Sequence, residues 1–231
     1  MKTIVTRFLG LAALVVILRF LTEILYQYQW YFPADFRKAD FLIGREAFFN
    51  GAYRIAFYGH IVCGPIVMII ALYLLWSGRR GLSNTIHRQL GKVQFILVVA
   101  LLGPTGLVMA TRAHTGLVAG VGFGILSVLT VTSAVQAVWH IKQRRVAEHS
   151  LWAKRLVILL LSPIVLRLIN RVGNGMGFDP LATYQFSAWA NWLAPLIAFE
   201  LWMRVLAFKN SKRTVTPHRD ESHNPQIEKA L

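Results

Sequence analysis

Six stretches of about twenty mostly apolar residues constrain this chain more than any other feature. A helix rises about 1.5 Å per residue and the hydrocarbon core of a bilayer is about 30 Å thick, so each stretch is long enough to cross it. They run over residues 8–26, 55–76, 90–109, 116–140, 151–169 and 186–208. Hydrophobic residues make up 55% of the 231 and charged ones 15%, where an ordinary soluble domain has about a quarter charged. The pattern predicts an all-α integral membrane protein with six transmembrane helices. The second to fifth would form a four-helix bundle core, the other two would flank it, and no soluble domain is expected. Residues 1–208 are then the membrane domain. Residues 209–231, polar and carrying Pro217 and Pro225, read as a disordered cytoplasmic tail.

The formal charge of +15 raises the prospect of a nucleic-acid partner, but its distribution argues against one. If the two termini share a side, that side holds 16 of the 25 Lys and Arg, and the opposite loops hold six. Positive residues collect on the cytoplasmic side of membrane proteins, so both termini are expected in the cytoplasm, with the lipid bilayer as partner. Lys2 and Arg7 ahead of an apolar run resemble a signal peptide. Arg19 and Glu23 interrupt that run and no small-residue cleavage site follows, so it reads as a retained span. The single cysteine, Cys63, excludes an intramolecular disulfide, a thiolate zinc site, a protein-ligated iron–sulfur cluster and covalent heme attachment. It reads as a small buried apolar residue. No Ser/His/Asp arrangement, metalloprotease motif or phosphate loop is evident, which argues against a hydrolase or kinase.

Histidines carry the chemistry. His60, His87, His114 and His149 each lie at or just before the start of one of four successive spans. Successive spans alternate in direction, so His60 and His114 share the outer face, and His87 and His149 the inner one. Two imidazoles from parallel helices are what a bis-His heme iron requires. The expectation is one or two hemes b, ligated by His60 with His114 and by His87 with His149. Arg112 on the outer side, and Arg88 and Arg155 on the inner, are placed to meet heme propionates. Histidines at a membrane edge also read simply as polar residues at a polar place, and His140 is one with no partner in the pattern.

Other features bear on packing and binding. Arg19 with Glu23, and Glu200 with Arg204, are four apart and can pair within their spans. Arg167 has no acidic residue within a turn. With Asn170, Arg171 and the glycine-rich 173–177 it could form an outward anion site. Gly116, Gly120 and Gly124 share one helix face, suited to close helix packing or to a flat macrocycle. The short connection 110–115 makes the third and fourth spans antiparallel neighbours. Ser83 is placed to cap the third span. The aromatic-rich connection 27–54 suits a segment lying among lipid headgroups, or alternatively a substrate-binding loop.

Two motifs, His87-Arg88-x-x-Gly91-Lys92 and His149-x-x-Trp152-x-x-Arg155, together with Tyr58-Gly59-His60, resemble a family of multi-pass bacterial membrane proteins of unknown function. The resemblance covers about residues 54–171 and the last span. In layout the core also resembles the ascorbate-reducible diheme cytochromes b, which hold their histidines deeper in the helices. That likeness implies a transmembrane oxidoreductase of the bacterial inner membrane, carrying electrons between a quinol or small reductant and an acceptor. Quinone or respiratory-chain components would be its partners. A heme-free assembly subunit of a respiratory complex is the alternative, and a small transporter the third reading.

Overall fold

The computed structural model describes residues 2–81 and 85–214, and every regular element among them is helical. The first helix, α1 (Lys2–Tyr26), is followed by a single turn, α2 (Tyr28–Tyr31), and a 3-10 turn at Glu46–Phe48. Then come α3 (Gly51–Arg79), α4 (Thr85–Ile96), α5 (Gly103–Ala110) and α6 (Leu117–Lys142). The last three are α7 (Val146–Leu160), α8 (Ser162–Gly175) and α9 (Pro180–Thr214). The chain divides into two units, Met1–Pro195 and Leu196–Leu231. The first holds the bundle. In the second, the described residues are the remaining turns of α9.

Five helical stretches are long and apolar enough to cross a membrane, and α7 with α8 makes a sixth as a broken span. Two prolines shape the core spans. Pro104 offers no N–H and its ring crowds the carbonyl one turn back, so the third span widens into a π turn at Leu97–Leu102 between α4 and α5. Pro163 has the same effect on the fifth, which bends by 41° between α7 and α8. Residues 151–169 are therefore not one straight helix. The helices also begin earlier than the apolar stretches, at Gly51, Thr85, Val146 and Pro180, because helical hydrogen bonding continues where the hydrocarbon ends. At the other end α9 continues to Thr214, so residues 209–214 are helical and not tail. Residues 215–231, with most of the expected tail, and Ser83 lie outside the described residues.

The expected four-helix core is present. α3 packs mainly on α5 and α7, and α6 packs on the same two. α3 and α6 therefore face each other across one diagonal, and the third span and α7 across the other. Between them lie Cys63, Val67, Ala71, Val98, Leu102, Ala134 and Leu156, all buried. Against lipid, such contacts gain from close packing rather than from transfer out of water, so small residues matter. A Cβ on Gly103 would come within 2.3 Å of Val131 Cγ2, and one on Gly120 within 2.7 Å of the Ala110 carbonyl. The glycine stripe divides by role. Gly120 is the member in close contact, Gly124 meets open space, and Gly116 turns the chain at φ +80. Gly122, off that face, receives α9, with the Ala188 carbonyl 3.0 Å from its would-be Cβ.

The connection 27–54 does not lie flat. It folds on the ends of α3 and α5 around Phe57, which is fully buried. Tyr31 and Phe49 meet that ring at 5.2 Å and Phe41 stacks on it at 5.5 Å. Arg45 fastens the fold by donating to the Arg112 carbonyl at 2.6 Å. Residues 173–177 likewise form no loose loop. Phe178 N–H bonds the Gly173 carbonyl at 3.0 Å and Gly177 N–H the Asn174 carbonyl at 3.1 Å, closing α8 with Gly177 at φ +79.

Candidate functional site

Because α3 begins at Gly51, His60 lies nine residues inside it, about 14 Å along its axis, and not at the start of the span. Its Nδ1 is 3.2 Å from Thr105 Oγ1 on α5. The Thr105 hydroxyl gives its only hydrogen to the Leu101 carbonyl at 2.7 Å, so its oxygen accepts from His60 Nδ1–H. The unprotonated nitrogen of His60 is then Nε2. Gly106 makes room for the ring: a Cβ there would sit 3.3 Å from His60 Cε1.

The opposite end of the bundle repeats this arrangement. His87, the third residue of α4, has Nδ1 2.7 Å from Ser77 Oγ at the end of α3. Ser77 Oγ also reaches the Leu74 carbonyl at 3.2 Å, and the direction of its bond to His87 follows the tautomer of the imidazole. His149, the fourth residue of α7, donates Nδ1–H to the Ala137 carbonyl of α6 at 2.8 Å. Nothing in the spacing of the sequence marks Thr105, Ser77 or Ala137 as partners of these histidines.

His114 differs from the other three. It lies on the connection ahead of α6, edge-on to the Tyr184 ring at 5.6 Å. It shares with His60 a cavity of about 1130 Å³, above the roughly 300–1,000 Å³ usual for small-molecule sites. The broken fifth span supplies Leu159, Ser162, Pro163, Arg167 and Asn170 to the walls, α1 supplies Arg19 and Glu23, and the folded connection supplies Gln27, Tyr31 and Arg45. Irregular backbone at membrane depth is tolerated where it lines a cavity, as the break at Leu161 does here. Gln27, Asn170 and Asn191 line this space, and their amide oxygens are buried without a hydrogen-bond partner.

The arginines distribute unevenly. Arg171 pairs with Glu23 at 3.1 Å, as Arg19 does, so its charge is already matched. Arg167 donates to the Pro163 carbonyl at 3.0 Å, and among the described residues no carboxylate forms an ion pair with it. Arg112 does not line the cavity, and its guanidinium lies over the Phe48 ring. At the other end Arg155 lies over Trp152, and Arg88 is exposed. His140 is buried edge-on to Trp139 with its Nδ1 unpartnered. Among the described residues no cluster of three or more His, Cys, Asp or Glu side chains could hold a metal ion.

A multi-span helical membrane protein with a histidine-bearing four-helix core is the class that fold and site define. The chain belongs to the family described as predicted membrane proteins, DUF2306, whose model matches residues 57–203, more than half of its length. No curated protein and no solved structure shows a significant match to it.

Proposed function

We propose that this protein is a b-type electron carrier of the bacterial inner membrane with both termini in the cytoplasm. It would bind one heme b between His60 and His114 and another between His87 and His149, and pass electrons between a quinol or other small reductant and an acceptor of the respiratory chain. The observation that carries the reading is the hydrogen bonding of three histidines. In His60 and His149 an acceptor holds Nδ1–H, which makes Nε2 the basic nitrogen, and His87 Nδ1 is held by the Ser77 hydroxyl. Metal-ligating imidazoles are oriented in this way, by a partner that fixes both tautomer and ring plane. The diagonal placement of α3 against α6, and of the third span against α7, adds to it.

The residues present fit the group. Heme supplies one-electron chemistry when bound. The chain's part would be to hold the group through these histidines, to clear space with Gly106 beside His60, and to exclude water with the apolar walls of the bundle. Thr105, Ser77 and the Ala137 carbonyl would be positioning groups that act through the imidazoles.

The test is the visible spectrum of the full-length protein purified in detergent, oxidised and then reduced with dithionite. The expected result is a low-spin b-type change with about two hemes per chain. His87→Ala and His149→Ala should each lose the same heme, and His60→Ala and His114→Ala the other. A featureless spectrum from cells supplied with heme would refute the reading and leave a heme-free assembly subunit in its place.

A further inference from the structure

The cavity that His60 and His114 share is not electrically balanced. Four arginines line it, Arg19, Arg45, Arg167 and Arg171, against two carboxylates, Glu23 and Asp40. Glu23 is engaged by Arg19 and Arg171, and Asp40 accepts from the Gln27 side-chain amide at 3.0 Å. Among the described residues no carboxylate forms an ion pair with Arg45 or Arg167. Arg45 is only 4% exposed. It donates to Tyr53 Oη at 2.9 Å and to the Arg112 carbonyl, its plane covers Phe41 at 4.2 Å, and its Nε is buried with no acceptor. Burying a cation against neutral dipoles alone is costly, and in a membrane protein such a charge normally has a partner or a function.

We infer that this cavity takes an occupant bearing two acid groups, and that Arg45 and Arg167 receive them. The inference rests on the charges and stands apart from the heme reading. Two sources share the required chemistry, the two propionates of a heme and the phosphates of an anionic lipid. Arginine suits both, because its planar fork can offer paired N–H donors to a carboxylate or a phosphate.

Full-length protein carrying Arg45→Gln or Arg167→Gln is compared with wild type and with Arg54→Gln, an exposed arginine of α3 that does not line the cavity. Three quantities are read from each: heme per chain, heme midpoint potential, and phospholipid retained in native mass spectrometry, with cardiolipin, which carries two phosphates, and phosphatidylcholine as added lipids. If heme is the occupant, each Gln variant should hold it about tenfold more weakly, as for loss of one charge-assisted hydrogen bond, and the midpoint should fall. If lipid is the occupant, each variant should lose cardiolipin selectively, and the heme reading would fail for this cavity while the acid-group site stands. Arg54→Gln should change nothing. Arg45→Lys and Arg167→Lys keep the charge and should retain more occupant than the Gln variants; they serve also if a Gln variant does not fold. Wild-type protein that carries neither heme nor anionic lipid, or variants whose heme, potential and lipid all match wild type, would overturn the inference. A coloured protein with unresponsive variants would do so while leaving the heme reading intact.

Discussion

Gly106 is the point where α3, α5 and α6 come closest to His60, so a methyl group there tests both packing and site. A Cβ would lie 2.6 Å from Ser127 Oγ and 3.3 Å from His60 Cε1. The first distance is about 1 Å short of the roughly 3.5–4.0 Å at which heavy atoms gain most from contact. Either Ser127 leaves its rotamer, at about 0.5–1.5 kcal/mol, or α5 and α6 move apart, at the roughly 1–3 kcal/mol typical of overpacking. The imidazole must also withdraw by a few tenths of an ångström. Its bond to Thr105, already 3.2 Å, is the contact that gives. The cheaper route sets the cost, so Gly106→Ala should cost about 0.5–1.5 kcal/mol. At about 2–4 °C per kcal/mol, the unfolding midpoint in detergent, followed by intrinsic fluorescence, should fall by roughly 1–6 °C. Ser127→Ala alone should cost little. In the Gly106→Ala/Ser127→Ala double variant the clash with Oγ is gone, and a coupling of about 1 kcal/mol should appear as partial recovery. An unchanged midpoint in Gly106→Ala, or a double variant no better than the single, would refute this account of how the helices meet at His60.

Two further outcomes test the ends and edges of the bundle. Arg144 closes α6 in the left-handed region at φ 61, where Arg145 N–H and Arg144 N–H bond the His140 and Ile141 carbonyls at 3.0 Å. Arg144→Gly removes the Cβ strain and should stabilise by about 0.5–1 kcal/mol, raising the midpoint by roughly 1–4 °C; a lower midpoint would contradict it. Glu23 ties α1 to α8 through Arg171, but both guanidinia it meets are more than half exposed, at 68% and 55%. After allowance for solvent screening, Glu23→Gln should cost about 0.5–1 kcal/mol. Amide exchange should rise in α1 and leave α3 to α7 unchanged, and a uniform rise would show that α1 is not held locally by this pair.

The crossing segments were legible because a bilayer imposes one length and one polarity on whatever spans it. The existence of each span follows from about twenty apolar residues, whereas its ends depend on polar turns such as 51–54 and 85–89, which belong to the helix without belonging to the hydrocarbon. Pro104 and Pro163 were visible, yet whether a proline makes a π turn, a bend or a break depends on the neighbours that take up the released carbonyls. The site was legible in its histidines and not in their supports. Thr105 lies 45 positions from His60, and Glu23 lies 148 from Arg171. Contacts at such separations are set by which helices adjoin, and no spacing rule within one helix reports them. That is why Arg171 looked available for an anion and is neutralised, while Arg45, in a connection that reads as an interfacial segment, is carried into the cavity.

The two histidine pairs are built to different degrees of rigidity, and the difference follows from where their residues sit. His87 and His149 are both on helices, and each is oriented by a hydrogen bond to a neighbouring helix, at Ser77 Oγ and the Ala137 carbonyl. At the other end only His60 is held so. His114 lies on the connection 110–115 with an aromatic edge for company. Precise ligation favours groups on regular elements locked by a second layer of hydrogen bonds, whereas exchange of an occupant favours a mobile side chain at the mouth of a large space. Against one fixed histidine and one loop histidine stand about 1130 Å³ and two unmatched arginines. On the proposed reading, the pair held by helices on both sides would suit permanent ligation. The cavity of His60 and His114 would hold its acid-bearing group between a helix and a connection.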